Sequence, residues 1–161
     1  MNFRKVDESE WRCLQSTFYS HVEINERVRK LIGWLGTFFN EREVGGVSGL
    51  KFLQTDEGDV LCNIVSPFGN GRMRLNWAIF DNVLHGTLYI DRNRLDSFGQ
   101  PAWETIWRLH ISPNSKVFVE SEHDGFNLRM GSGKQLENEV FEIGMSILYA
   151  IVNGPVIKKL V

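Results

Sequence analysis

The chain has 161 residues, a length typical of one domain that buries a substantial core. Its 42% hydrophobic content, with 11 Phe and 5 Trp, argues against disorder. Its net charge of −2 argues against a nucleic-acid-binding protein, which needs a concentrated excess of Lys and Arg. We therefore expect one soluble domain over residues 1–161.

Nothing in the sequence predicts export, membrane insertion or a bound cofactor. Residues 1–10 are polar and acidic and lack the apolar run of a secretory signal. The most apolar stretch, residues 140–152, contains Glu142 and is too short to cross a bilayer. Cys13 and Cys62 have no metal-binding or redox spacing and are interpreted as reduced core residues. We expect a cytoplasmic protein without metal or cofactor.

The N-terminal part of the chain has a helical pattern. Asp7 and Glu10 have the spacing of a capping box, which predicts the start of a helix. Apolar residues then recur at helical spacing over residues 8–40. The phase of this pattern slips between Val22 and Val28. The sequence therefore allows either one long bent helix or two helices that meet near Asn25.

A β-sheet pattern follows the helical region. From residue 50 the hydrophobic period changes to two, and turn residues recur every eight to twelve positions. We predict an antiparallel meander of about six to seven strands within residues 50–131, with the clearest alternation at residues 72–79. Residues 103–111 fit a strand or a short helix, and we favour the strand.

The C-terminal part again predicts a helix, over residues 133–153. Ser132 and Gln135 form a second capping box, and Gly154 followed by Pro155 marks the stop. This helix is apolar nearly all round, so its second face lies either in the core or against another subunit. A homodimer through this helix or through the sheet is therefore an expected assembly. The fold class is α+β, with the meander sheet packed against the N-terminal helical region and the C-terminal helix.

Strand alternation separates polar and aromatic side chains onto the two faces of the sheet. The polar face is predicted to hold Asn76, Glu104, Arg72, Arg74, Tyr89, Arg108, Asp91 and His110. The opposite, core-facing side is predicted to hold Trp77, Trp103 and Trp107. Arginine forks on the polar face suit an anionic ligand or an acidic partner, and a cavity lined by Trp suits a small apolar ligand. An ordinary solvated sheet face has the same composition.

Residues 130–135 lie between a predicted strand and a predicted helix, the context of a phosphate-binding loop. The P-loop pattern is incomplete, because Leu128 replaces its first Gly and Gln135 replaces its Ser or Thr. A weaker anion site at the amides of Ser132, Gly133 and Lys134 is left as a hypothesis, beside the simpler interpretation as a helix cap.

The sequence contains no common hydrolase or metal-binding signature. We predict a non-catalytic accessory protein that binds a protein partner or a small ligand, through the sheet face or a cavity between helices and sheet. The alternative is a small enzyme that acts on an anionic substrate with His110, Asp91 and the arginines. The order helix, meander, helix, and a hairpin at residues 103–120 with Asn114 and Lys116, resemble secretion chaperones and immunity proteins of bacterial toxin systems. This resemblance implies a protein-binding function.

Overall fold

A computed structural model describes residues 4–41, 48–80, 83–112, 117–118 and 134–154. These residues form an α+β fold with an N-terminal helix, an antiparallel sheet and a C-terminal helix, as the sequence predicts. The helices are α1, Glu8–Glu41, and α2, Lys134–Asn153. The strands are β1 Lys51–Glu57, β2 Val60–Ser66, β3 Gly69–Phe80, β4 Val83–Leu95, β5 Pro101–Ile111 and β6 Val117–Phe118.

The sheet is a meander in which every strand pairs with the next one along the chain. Among the described residues five strands have at least seven residues, whereas β6 has two, so the prediction of six to seven strands is slightly too high. The last predicted strand, residues 126–130, lies outside the described residues. Residues 103–111 belong to β5, which confirms the strand interpretation.

Helix α1 is continuous, so the two-helix alternative is wrong. Its start is the predicted capping box: the Asp7 carboxylate accepts a hydrogen bond from the Glu10 amide at 2.8 Å, and Glu10 accepts one from the Asp7 amide at 2.9 Å. With 34 residues at about 1.5 Å each, α1 is about 51 Å long. Only its second half reaches the core, and Cys13 in the first half is exposed rather than buried.

Both helices pack on the same face of the sheet, which we call the helix face. Two glycines on this face allow the close approach, because a Cβ at Gly86 would lie 2.7 Å from Ile24 of α1 and one at Gly71 would lie 3.3 Å from Ile151 of α2. The core between the layers is formed by apolar residues of α1, α2 and the inward strand positions, among them Phe39, Leu88, Ile90, Leu109 and Ile147.

A β-bulge in β5 changes which side chains face the helices. Ile90 pairs with Trp107, but the next residue, Asp91, pairs with Thr105, so Ile106 is an extra residue. One extra residue exchanges the two faces for every position on its far side. Trp103 therefore lies on the side away from the helices and Glu104 on the helix face. The sequence-based placement of both residues was wrong, because uninterrupted alternation was assumed.

On the helix face, the displaced Glu104 pairs with Arg92 of β4, whose Nε donates to its carboxylate at 2.9 Å. Arg92 also donates to the carbonyl oxygen of Ile151 at 3.1 Å, in the last turn of α2. A cation at this position is favourable because the last carbonyls of a helix carry partial negative charge. Gly154, at a φ of 80°, then ends the helix as predicted. Neither of the helices described is long and apolar enough to span a membrane.

Candidate functional site

The candidate site lies on the sheet face opposite the helices, which we call the outer face. Cross-strand pairing aligns its members across β3, β4 and β5: Arg72 with Asp91, Arg74 with Tyr89, and Tyr89 with Arg108. The structure thus brings together the polar residues predicted for this face except Glu104, namely Arg72, Arg74, Asn76, Tyr89, Asp91, Arg108 and His110. Trp103 and Thr105 join them because of the bulge.

Asp91 is the centre of the outer face, with only 1% of its surface exposed. Its Oδ2 accepts hydrogen bonds from Nε of Arg72 at 3.0 Å and from Nε of Arg74 at 2.5 Å. Its Oδ1 accepts from Nη2 of Arg74 at 3.2 Å and from the Thr105 hydroxyl at 2.8 Å. One carboxylate therefore connects three strands. Thr105 was missed from the sequence, since its position depends on the bulge.

The Asp91 carboxyl is ionised at neutral pH. Burial disfavours its charged form, but the hydrogen bonds from Arg74, Thr105 and Arg72 outweigh burial and lower the pKa of Asp91 below its ordinary value. The hydrogen bond to Asp91 in turn raises the pKa of Arg74, against a smaller opposing effect of burial. The cluster is therefore an ion-paired unit, and Asp91 has no spare proton to transfer.

A pH dependence of stability follows from the lowered pKa of Asp91. The parent protein should exceed Asp91→Asn in free energy of unfolding by a constant amount at neutral pH. This excess should shrink as the pH falls below about 4, the ordinary pKa of an aspartate in an unfolded chain, and through the lower pKa of the folded state. Urea unfolding of both proteins across this range measures it. An excess that stays constant into strong acid would contradict the assignment.

Aromatic rings support both arginines of the cluster. The guanidinium carbon of Arg72 lies 4.3 Å from the centroid of the Trp103 ring, and that of Arg74 lies 5.4 Å from the Tyr89 ring. Arg74 is further engaged by Asp59 at 3.6 Å. Within the described part of the chain Arg72 donates a hydrogen bond through its Nε only, to Asp91, and its guanidinium lies against the Trp103 ring.

Arg108 and His110 extend the outer face along β5. The Arg108 side chain is exposed, and it forms no ion pair within the described residues. His110 lies beside Thr87, with Nδ1 at 3.1 Å from the threonine hydroxyl oxygen. Arg108 thus adds an exposed guanidinium group to the outer face, two residues from His110 on the same strand.

Among the described residues, His110 is not paired with either of the two carboxylates considered for the enzyme alternative. His110 pairs with Thr87, whereas Asp91 is four residues further along β4, a separation of about 13 Å at 3.3 Å per residue. Glu104, the other carboxylate considered, lies on the helix face with Arg92. Neither carboxylate is within hydrogen-bond reach of the imidazole, as general acid–base catalysis needs.

The tryptophans do not form one cavity. Trp77 lies on the helix face beside His21 of α1, with ring centroids 4.4 Å apart, and Trp103 is on the outer face. Trp107 lies on the helix face, where it lines a groove of about 780 Å³ between α2 and the sheet. We call this the α2 groove. Its apolar lining is Phe68, Ile106, Trp107, Phe141, Met145, Leu148, Tyr149, Ala150 and Val152.

The remaining candidates are the anion site and a metal site. Ser132 and Gly133 lie outside the described residues, and Lys134 is the exposed first residue of α2. Within the described ranges, no group of three or more His, Cys, Asp or Glu residues is placed to hold a metal ion. Comparison of the chain with protein-family models, curated proteins and solved structures finds no match.

Proposed function

We propose that this protein is a non-catalytic binding protein whose outer sheet face docks an acidic segment of a protein partner. The observation that supports it is the cluster around Asp91, in which one buried carboxylate fixes two guanidinium groups on an open face. With Arg108, this face presents three arginines against two carboxylates, those of Asp91 and the more exposed Asp59, on a chain whose net charge is −2. The face thus has a local charge opposite to that of the whole chain.

Complementary charge on such a face favours acidic partners in two ways. It raises the rate of encounter with acidic surfaces, and it penalises basic ones through like-charge contact. The terminal nitrogens of Arg72 and the fork of Arg108 each suit a carboxylate, because guanidinium and carboxylate form two parallel hydrogen bonds. Arg72 is already held against Trp103 before a partner binds. Binding therefore costs less side-chain conformational entropy than it would for a mobile arginine.

A docking role agrees with the shape of the site better than the enzyme alternative does. Catalysis by a general acid or base benefits from a site that excludes water. His110 instead lies on a sheet face, and the α2 groove is on the other side of the sheet. Broad contact through Arg, Trp and Tyr is typical of protein interfaces, where these residues are enriched.

The proposal is tested with a fluorescein-labelled peptide of ten glutamates and, for comparison, one of ten lysines. Fluorescence anisotropy at low salt should show binding of the glutamate peptide only, weakening as salt is added. Arg108→Glu should weaken this binding at least about tenfold, since it removes one cation and adds a like charge. The matched control is Arg94→Glu, which makes the same charge change on β4 but on the helix face, beside Glu104.

Equal losses of affinity for Arg108→Glu and Arg94→Glu would show that net charge alone attracts the peptide, and the docking site would be rejected. Binding of the lysine peptide as tightly as the glutamate peptide would also reject it. Circular dichroism of both variants, unchanged from the parent, shows that the exposed substitutions leave the fold intact.

A further inference from the structure

The first half of α1 carries an apolar stripe that contacts no part of the core. The stripe consists of Trp11, Leu14, Phe18 and Val22, at helical spacing, and we call it the α1 stripe. No residue of the range 8–23 is buried, and Trp11 and Phe18 are 57% and 65% exposed. Isolated apolar residues on a surface are ordinary, but a periodic stripe of this size marks an interaction site.

The α1 stripe points in a different direction from the half of α1 that packs on the sheet. The packed half uses Ile24, Val28, Leu31, Leu35 and Phe39. At 3.6 residues per turn the two stripes are rotated by about a quarter of a turn from each other. The phase slip in the sequence after Val22 therefore marks the point along α1 where the apolar residues begin to face the sheet. Before this point they face away from the core.

The α2 groove is the concave counterpart on the same chain. Its exposed lining on α2 extends from Phe141 through Met145 and Tyr149 to Val152. This range and the range from Trp11 to Val22 each cover eleven residue steps, about 16 Å of helix. A convex apolar helix and an apolar groove of equal length are the two halves of a helix-in-groove contact.

We propose that two copies of this chain form a dimer in which the α1 stripe of each copy lies in the α2 groove of the other. The stripe does not reach the groove of its own chain, because α1 is continuous and its second half is fixed on the sheet. A twofold axis satisfies both surfaces of both copies at once and leaves none open for further growth.

The apolar area is sufficient for such a dimer. A large aromatic side chain has about 150–250 Å² of surface, so the exposed fractions of its residues give the α1 stripe about 400 Å². The exposed apolar side chains of the α2 groove, including Phe68 and Tyr149, offer a similar area. Each copy contributes both surfaces, about 800 Å², which is the usual contribution of one partner to a stable interface. Either surface alone supplies about half of it.

Sedimentation velocity over a wide concentration range tests the proposal, with two variants that each damage one surface. The parent should dimerise, and both Phe18→Glu in the α1 stripe and Tyr149→Glu in the α2 groove should raise the dissociation constant at least about tenfold. The matched control is Leu95→Glu, which places the same charge at a 65% exposed apolar residue outside both surfaces and should dimerise as the parent does.

A mixture of the two damaged variants distinguishes this arrangement from others. One copy then supplies an intact stripe and the other an intact groove, so the mixture should associate more strongly than either variant alone. A parent that stays monomeric, a dimer insensitive to Tyr149→Glu, or a mixture no better than its components would each overturn the proposal. If the parent is monomeric, native mass spectrometry shows what occupies the groove. A retained small apolar molecule would mean that the α2 groove binds a ligand instead of a second copy.

Discussion

Replacing Asp91 by Ala is expected to lower the free energy of unfolding by about 3 kcal/mol, since removal of one partner from a buried ion pair leaves the others uncompensated. Here the loss leaves Arg72 and Arg74 side by side on β3 without the carboxylate that separates their charges. Thr105 also loses its acceptor. Urea unfolding followed by tryptophan fluorescence measures the change.

The control for this substitution is Asp59→Ala, which removes the other carboxylate that contacts Arg74. Asp59 is 56% exposed and lies 3.6 Å from the arginine, so its loss should change stability by less than about 1 kcal/mol. If the two substitutions are equally mild, the Asp91 cluster is not a structural unit, and the fixed geometry of the proposed docking face has no support.

Replacing glycine by alanine at two helix positions is expected to give changes of opposite sign. Gly144 of α2 lies against Phe39 of α1, and a Cβ there would overlap the ring, so Gly144→Ala should lower the free energy of unfolding by about 2 kcal/mol. Gly33 of α1 has open space around its Cβ position, so Gly33→Ala should raise it by up to about 1 kcal/mol through helix propensity alone.

A second substitution identifies the cause of the loss at Gly144. Phe39→Leu shortens the side chain that the new methyl group meets, so its effect and that of Gly144→Ala should sum to more than the loss in the double variant. Strict additivity, or a stabilising Gly144→Ala, would mean that α1 and α2 are not in close contact at this point. Thermal unfolding of the four proteins provides the comparison.

Local patterns in the sequence were sufficient to predict the fold and most of the outer face. The capping box of Asp7 and Glu10 has short-range geometry that any helix start reproduces, and it is present as predicted. Alternation in β3 and β4 placed Arg72, Arg74 and Asp91 on one face, because neither strand has an irregularity in their mutual pairing. Pattern and structure agree for these three residues, because the pairing of β3 with β4 is regular.

The errors in assigning side chains to the two faces of the sheet have a single physical origin in β5. A bulge depends on how two strands pair, and no residue type at positions 105–107 indicates one. The sequence pattern therefore placed Trp103 and Glu104 on the wrong faces. The exposure of the α1 stripe was also beyond the sequence. A helical spacing of apolar residues shows that a partner surface exists, but it does not identify whether that surface is the protein's own core.

The extra residue Ile106 has consequences beyond the exchange of faces by Trp103 and Glu104. It brings Thr105 to Asp91 on one side of the sheet and Glu104 to Arg92 on the other, and Arg92 holds the end of α2. Tolerance to sequence change should therefore be uneven along β5. A point substitution at an exposed position of β5 changes only its local contacts. Deletion of Ile106 would instead disrupt the Asp91 cluster, the Glu104–Arg92 ion pair and the hydrogen bond from Arg92 to the end of α2.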